Sequence, residues 1–140
     1  MIDTHAHLDK ILCDTKSDLK SIILAASDID DSQNNLKLAQ KYDFLLPAIG
    51  IHPQFPSLEV EKLEKMITKD VVAIGECGLD YSEFPDRASD SFAVLAAKQK
   101  KVFCLQIELA QKYKLPLIIH ARKAVDEAIE ILKEYKNTSG

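Results

Sequence analysis

The feature that most constrains this chain is an alternation sustained from one end to the other: short apolar runs, each followed by an amphipathic stretch. Continuous runs such as IILAA, VVAIG and PLIIH suit strands covered on both faces, and strands of that kind belong to parallel sheets crossed over by helices. Five strands are predicted, at Met1–His5, Ser21–Ala26, Phe44–Ile51, Val71–Gly75 and Leu115–His120. Between and after them the period changes. Val102, Leu105, Leu109 and Tyr113 recur at helical spacing within Lys100–Lys114, and Val125, Ala128, Ile129 and Leu132 do so in the last helix. Weaker stripes run through Leu36, Ala39 and Tyr42 and through Val60, Leu63 and Ile67, the latter entered by a turn at Pro53, Pro56 and Ser57.

Two connections depart from this rhythm. The segment Tyr81–Gln99 is long for a strand-to-helix loop and carries its own apolar cluster of Phe92, Val94 and Leu95, so an ordered excursion over the mouth of the sheet is expected there. Leu8–Leu19 is barely long enough for a helical crossover and predicts a single helical turn. With 46% hydrophobic and 29% charged residues, the 140 residues suffice for one domain with a real core. An apolar run of 18 residues does not occur and the N-terminus lacks a signal-peptide pattern, so a cytoplasmic protein with no membrane partner is expected. Cys13, Cys77 and Cys104 are odd in number and without metal-type spacing, which fits reduced thiols; Cys77 is expected to pack on the far side of its strand. A net charge of −4 and only two arginines, Arg87 and Arg122, supply no global attraction to a polyanion, so any phosphate binding must be local.

Several polar residues sit where apolar strands end. His5 and His7 are two apart, leave the first strand on one face roughly 6–7 Å apart, and either converge on an ion or are a surface pair. Asp3 lies on that same face, as a support to a ligand or a residue facing the core. Glu76 directly follows VVAIG, and His120 ends LPLII in the same manner; each is a ligand candidate at the C-terminal end of a strand, against the alternatives of an exposed glutamate and of a satisfied core or loop histidine. His52 in GIHPQ follows Gly50, which permits close backbone approach, and is as readily a substrate contact as a structural loop residue. Arg122 stands at the expected opening of a helix, either as a phosphate clamp or as a solvated arginine. Asp80 and Tyr81 are candidates for orienting ligands from behind.

Taken together, IDTHAHLD at 2–9, GIHPQ at 50–54, IGECGLDY at 74–81, the glutamine-containing pattern from Gln99 to Ala110 and LPLIIHARKA at 115–124 resemble the TatD-like deoxyribonucleases, metal-dependent hydrolases of the amidohydrolase kind. The resemblance implies a (β/α)8 TIM barrel of which about the first five βα units are present, so that residues 1–140 form a single, incomplete barrel domain. It implies two divalent ions, Mg, Mn or Zn, with His5 and His7 holding one, His120 the other, and Glu76 bridging them. It further implies substrate contacts at His52 and Arg122, and Mg-dependent exonuclease-type cleavage of DNA or RNA by an activated water, with the general base outside this chain. The alternatives are another ester substrate, such as D-aminoacyl-tRNA, and an inactive truncated fragment. A barrel of this type needs roughly 250 residues to close, so association with a missing half is expected.

Overall fold

A computed structural model of the protein describes residues 2–7, 20–83 and 87–138. Along it run β1 (Ile2–Ala6), β2 (Ser21–Leu24), α1 (Ile29–Lys41), β3 (Leu45–Ile49), α2 (Val60–Met66), β4 (Ala73–Asp80), α3 (Asp90–Tyr113), β5 (Leu117–Arg122) and α4 (Val125–Thr138). The strands lie side by side in the order of the chain, every neighbouring pair parallel. A doubly wound sheet reverses its strand order at a switch point; this one adds each strand to the same edge, as a (β/α) barrel does. The result, among the described residues, is a half-barrel of five strands and four helices. Among the described residues no helix is long and apolar enough to cross a membrane.

Two apolar clusters hold the helices on the strands. Ile49 and Ile74 meet Val60 and Leu63 of α2 and Val102 and Leu109 of α3, while Cys77, Leu79 and Tyr81 meet Phe103 and Ile107 of α3 and Ala128 of α4. Cys77 thus packs away from Glu76, as expected, and burial pushes its thiol well above the ordinary cysteine range. On α1 the buried residues are Ser32 and Asn35, not the weak apolar stripe alone: the Asn35 amide donates to the carbonyls of Leu24 and Ala25, both at 3.2 Å. Asp28 caps this helix by accepting from the Asp31 N–H at 2.8 Å, and Asp31 reaches back to the Ser27 N–H.

The extent of β4 decides which side chains reach the mouth of the sheet. The strand was expected to end at Gly75, yet it continues to Asp80. Ile74 pairs with Leu117 but Cys77 pairs with Ile119, so three residues of β4 oppose two of β5. This bulge reverses the alternation of side chains. Ile74 faces α2 and α3; beyond the bulge it is Cys77, Leu79 and Tyr81 that face the helices, and Glu76 and Asp80 that face the other way.

Other expectations shift as well. Residues 90–99 are not part of an excursion over the mouth, because α3 begins at Asp90, capped by Ser89, and Phe92 belongs to its first turn against Tyr81, while residues 84–86 lie outside the described residues. Helical propensity in 90–99 overrides the reading of a long loop. In α4 the inward face carries Ala128 and Leu132, while Val125 is 52% and Ile129 43% exposed, as is Ile119 of β5 at 41%. The crossover 8–19, and Cys13 within it, lie outside the described residues.

Close contact between β4 and β5 depends on Gly78, which has φ +139° and whose missing Cβ would collide with the His120 carbonyl oxygen. Gly78→Ala is therefore expected to destabilise the protein by about 2–4 kcal/mol, combining backbone strain with overpacking. Urea unfolding of the two proteins measures it, and an unchanged midpoint would contradict the packing described.

Candidate metal centre

The carboxylate of Glu76, turned to the mouth by the β4 bulge, has a side chain only 8% exposed. Its ion-pair partners among the described residues are all imidazoles. Oε2 lies 3.3 Å from His5 Nε2 and 3.1 Å from His7 Nε2, and those two nitrogens are 3.1 Å apart. Oε1 lies 3.1 Å from His120 Nδ1 and 4.0 Å from His52 Nε2. Each carboxylate oxygen thus faces its own pair of histidines, contributed by β1 and its exit on one side and by β5 and the loop after β3 on the other.

These separations match those of a coordination sphere. Ligand atoms about 2.1 Å from one divalent ion stand roughly 3.0–3.4 Å from one another. The His5, His7 and Glu76 atoms form a nearly equilateral triangle within that range, and His120 Nδ1 and Glu76 Oε1 fall in it too. Imidazole and carboxylate donors suit Zn, Mn or Mg. The residues present fit a divalent metal centre in which Glu76 offers one oxygen to each side.

His52 differs from the other three. The Gln54 N–H donates to its Nδ1 at 3.1 Å, so the neutral ring carries its proton on Nε2, the nitrogen that faces Glu76. Burial first, then the neighbouring His120, lowers its pKa and keeps it neutral. A nitrogen bearing a proton is a hydrogen-bond donor and not a ligand. Behind His120 stands Asp80, whose Oδ2 is 3.0 Å from His120 Nε2 and whose Oδ1 accepts from the Ser82 N–H at 2.8 Å. Burial works to raise the Asp80 carboxyl, but hydrogen bonds from Ser82 and His120 outweigh it and hold the group below its ordinary value.

The remaining sequence candidates fall in different places. Asp3 accepts from the backbone N–H of His5 at 3.1 Å and so braces the strand that carries the pair. Tyr81 was expected to orient ligands and does not: one residue beyond Asp80, it takes the opposite face of β4. There it meets Phe92 edge to face, lies under the Arg87 guanidinium and donates to Glu127 of α4 at 2.5 Å. Arg122 is the last residue of β5, three before α4 begins, and is exposed two positions beyond His120 on the same face of its strand.

The half-barrel has its counterpart in known proteins. Residues 2–140 match the sequence profile described as TatD related DNase. The chain belongs to this family. It is 33% identical to the uncharacterised metal-dependent hydrolase YabD of Bacillus subtilis (strain 168), covering 96% of this chain and 55% of YabD. It is 26% identical to the 3′-5′ ssDNA/RNA exonuclease TatD of Escherichia coli (strain K12), over 91% of this chain and 48% of that enzyme. The crystal structure of YjjV, a TatD homologue from E. coli K12, superposes with a TM-score of 0.75 at 29% identity, covering 95% of this chain and 55% of YjjV. The chain spans about half the length of the curated relatives it matches.

Two residues of this TatD-family chain have a role that sequence reasoning missed. Gln99 and Gln106, seven apart on α3, are 1% and 0% exposed. Gln99 accepts from the Asp80 N–H and donates to the Asp80 carbonyl, both at 2.9 Å; Gln106 does the same to Ile51, at 2.8 and 3.0 Å. The signal available in sequence was a polar residue on the inward stripe of a helix, a placement that persists only when both polar atoms are bonded. Since Tyr81 serves packing and not the cluster, Tyr81→Phe is expected to lower stability by about 1–2 kcal/mol, through loss of a bond to a charged group. Its metal affinity, measured by calorimetry, should stay within about twofold of the unaltered protein, since a twofold change is well under 1 kcal/mol.

Proposed function

We propose that this protein is a Mg-dependent hydrolase of phosphodiester bonds in DNA or RNA, working with two divalent ions bridged by Glu76. The observation that carries the reading is the division of the Glu76 carboxylate, one oxygen toward His5 and His7 and the other toward His120. The naming of TatD relatives as 3′-5′ ssDNA/RNA exonucleases supports nucleic acid as the substrate class. Bound divalent ions supply the activation of water and the neutralisation of charge that cleavage of a phosphodiester requires.

The chain's own residues then divide the work. His5 and His7 would hold one ion and His120 the other. Glu76 would be committed to both and not free to move a proton, so the general base would lie outside this set. His52 donates from Nε2 to a substrate oxygen, a role supported by the hydrogen bond that occupies its Nδ1. Arg122, exposed beyond His120, offers a planar guanidinium to a phosphate, with geometry a lysine would not reproduce.

The test is incubation with a 5′-labelled single-stranded oligonucleotide, as DNA and as RNA, with Mg or Mn and with chelator. Progressive shortening that needs the ion and falls at least about a thousandfold in Glu76→Ala is expected, the loss of a charge-stabilising group costing several kcal/mol. A folded, ion-loaded protein that leaves both oligonucleotides intact would remove nucleic acid as the substrate. Independently, ions at about 100 times their dissociation constant should raise the unfolding free energy by about 2.7 kcal/mol, and Glu76→Gln should abolish that increment in thermal unfolding.

A further inference from the structure

The His120 ring is held at both nitrogens. Nδ1 faces Glu76 Oε1 at 3.1 Å and Nε2 faces Asp80 Oδ2 at 3.0 Å. For Nδ1 to offer a lone pair to an ion, Nε2 must carry the proton, and an acceptor placed at Nε2 selects that form and fixes the plane of the ring. The position of the Asp80 carboxylate is in turn set by the backbone that bears it. Asp80 is the last residue of β4; β5 continues alongside it, with the Tyr81 N–H donating to the Arg122 carbonyl, but β3 stops at Ile49, paired to Ile74. On that open side Gln99 takes the place of a strand, its amide bonding both polar groups of the Asp80 backbone at 2.9 Å.

We infer that Gln99 is a positioning residue of the metal centre, acting through Asp80 to hold His120 with Nδ1 presented to Glu76. It is 1% exposed, and its hydrogen bonds run to the Asp80 backbone and not to the cluster. The inference rests on the reading of His120 as a ligand. The chain of contacts runs from α3 to the end of β4 and on to the end of β5, three elements that follow one another in the chain. Ser82, whose N–H holds Asp80 Oδ1 at 2.8 Å, completes the fixation of the carboxylate by leaving Oδ2 for His120.

The test uses the intact protein loaded with zinc. Gln99→Met keeps the length of the side chain and removes both hydrogen bonds; near-UV circular dichroism reports whether the fold persists. Zinc affinity is expected to fall about 10- to 100-fold in Gln99→Met and in Asp80→Ala, with no further loss in the double variant. Unchanged affinity in folded Gln99→Met, or losses that multiply in the double variant as for independent structural defects, would overturn the inference. Should Gln99→Met fail to fold, long-range ¹H–¹⁵N correlation spectra of the zinc-loaded unaltered protein decide: coordination through His120 Nδ1 supports the inference and coordination through Nε2 overturns it. Failure to cleave oligonucleotides strikes the nuclease reading and leaves these readouts standing, whereas failure of the unaltered protein to bind zinc removes the ligand reading and this inference with it.

Discussion

Glu76 is a carboxylate placed where a carboxylate is costly, and the rest of the mouth is arranged around that cost. Its side chain is nearly out of water, and an unpaired charge in such a position would be penalised by several kcal/mol. It is tolerated because imidazoles from three separate segments, His5 and His7, His52, and His120, approach its two oxygens. The approach depends on one extra residue in β4. Without the bulge between Ile74 and Cys77, Glu76 would fall on the face that Ile74 presents to α2 and α3, a charge in the apolar layer and histidines with nothing to meet.

A sheet whose strands end at different heights leaves peptide groups without neighbours, and the mouth of this half-barrel is made of such ends. The molecule completes them with buried side chains. Ser32 accepts from the Gly50 N–H at 3.1 Å, Asn35 satisfies the carbonyls of Leu24 and Ala25, Gln106 pairs with Ile51 and Gln99 with Asp80. Each lies on a helix and each fixes the end of a strand or the turn just beyond it. The site is therefore held by the helices behind the sheet as much as by the strands that display it.

Much of this was legible in the chain. The apolar runs located all five strands, the period of the helices located α3 and α4, and H-x-H, Glu76 and His120 stood out as converging from the ends of separate strands. What escaped reading was local and non-periodic. The bulge in β4 leaves no signature in hydropathy, so Gly75 looked like an ending, and Tyr81 was assigned to the site when its parity after the bulge sends it to α4. The exposed Val125 and Ile129 fit the helical stripe by spacing, yet spacing reports only that a face is apolar and not what covers it. Gln99 and Gln106 lie on that same kind of stripe, where a buried amide cannot be told from an exposed one until its partners are known.

Charge follows a similar logic of placement. The chain carries a net −4, and its two arginines, Arg87 and Arg122, are 35 positions apart in sequence. Folding brings both to the end of β5, where Arg87 donates to the Lys123 carbonyl at 2.6 Å and lies over the rings of Tyr81 and Phe92. Arg87 is thereby committed to structure, tying the loop after β4 to the loop after β5, while Arg122 stands exposed on the side of His120. With a screening length of about 8 Å at physiological salt, the overall negative charge is little felt at that corner. If the proposed phosphate-bearing substrate binds there, it would be held by contact once it had arrived and not drawn in from a distance, in keeping with the scarcity of arginine in the sequence.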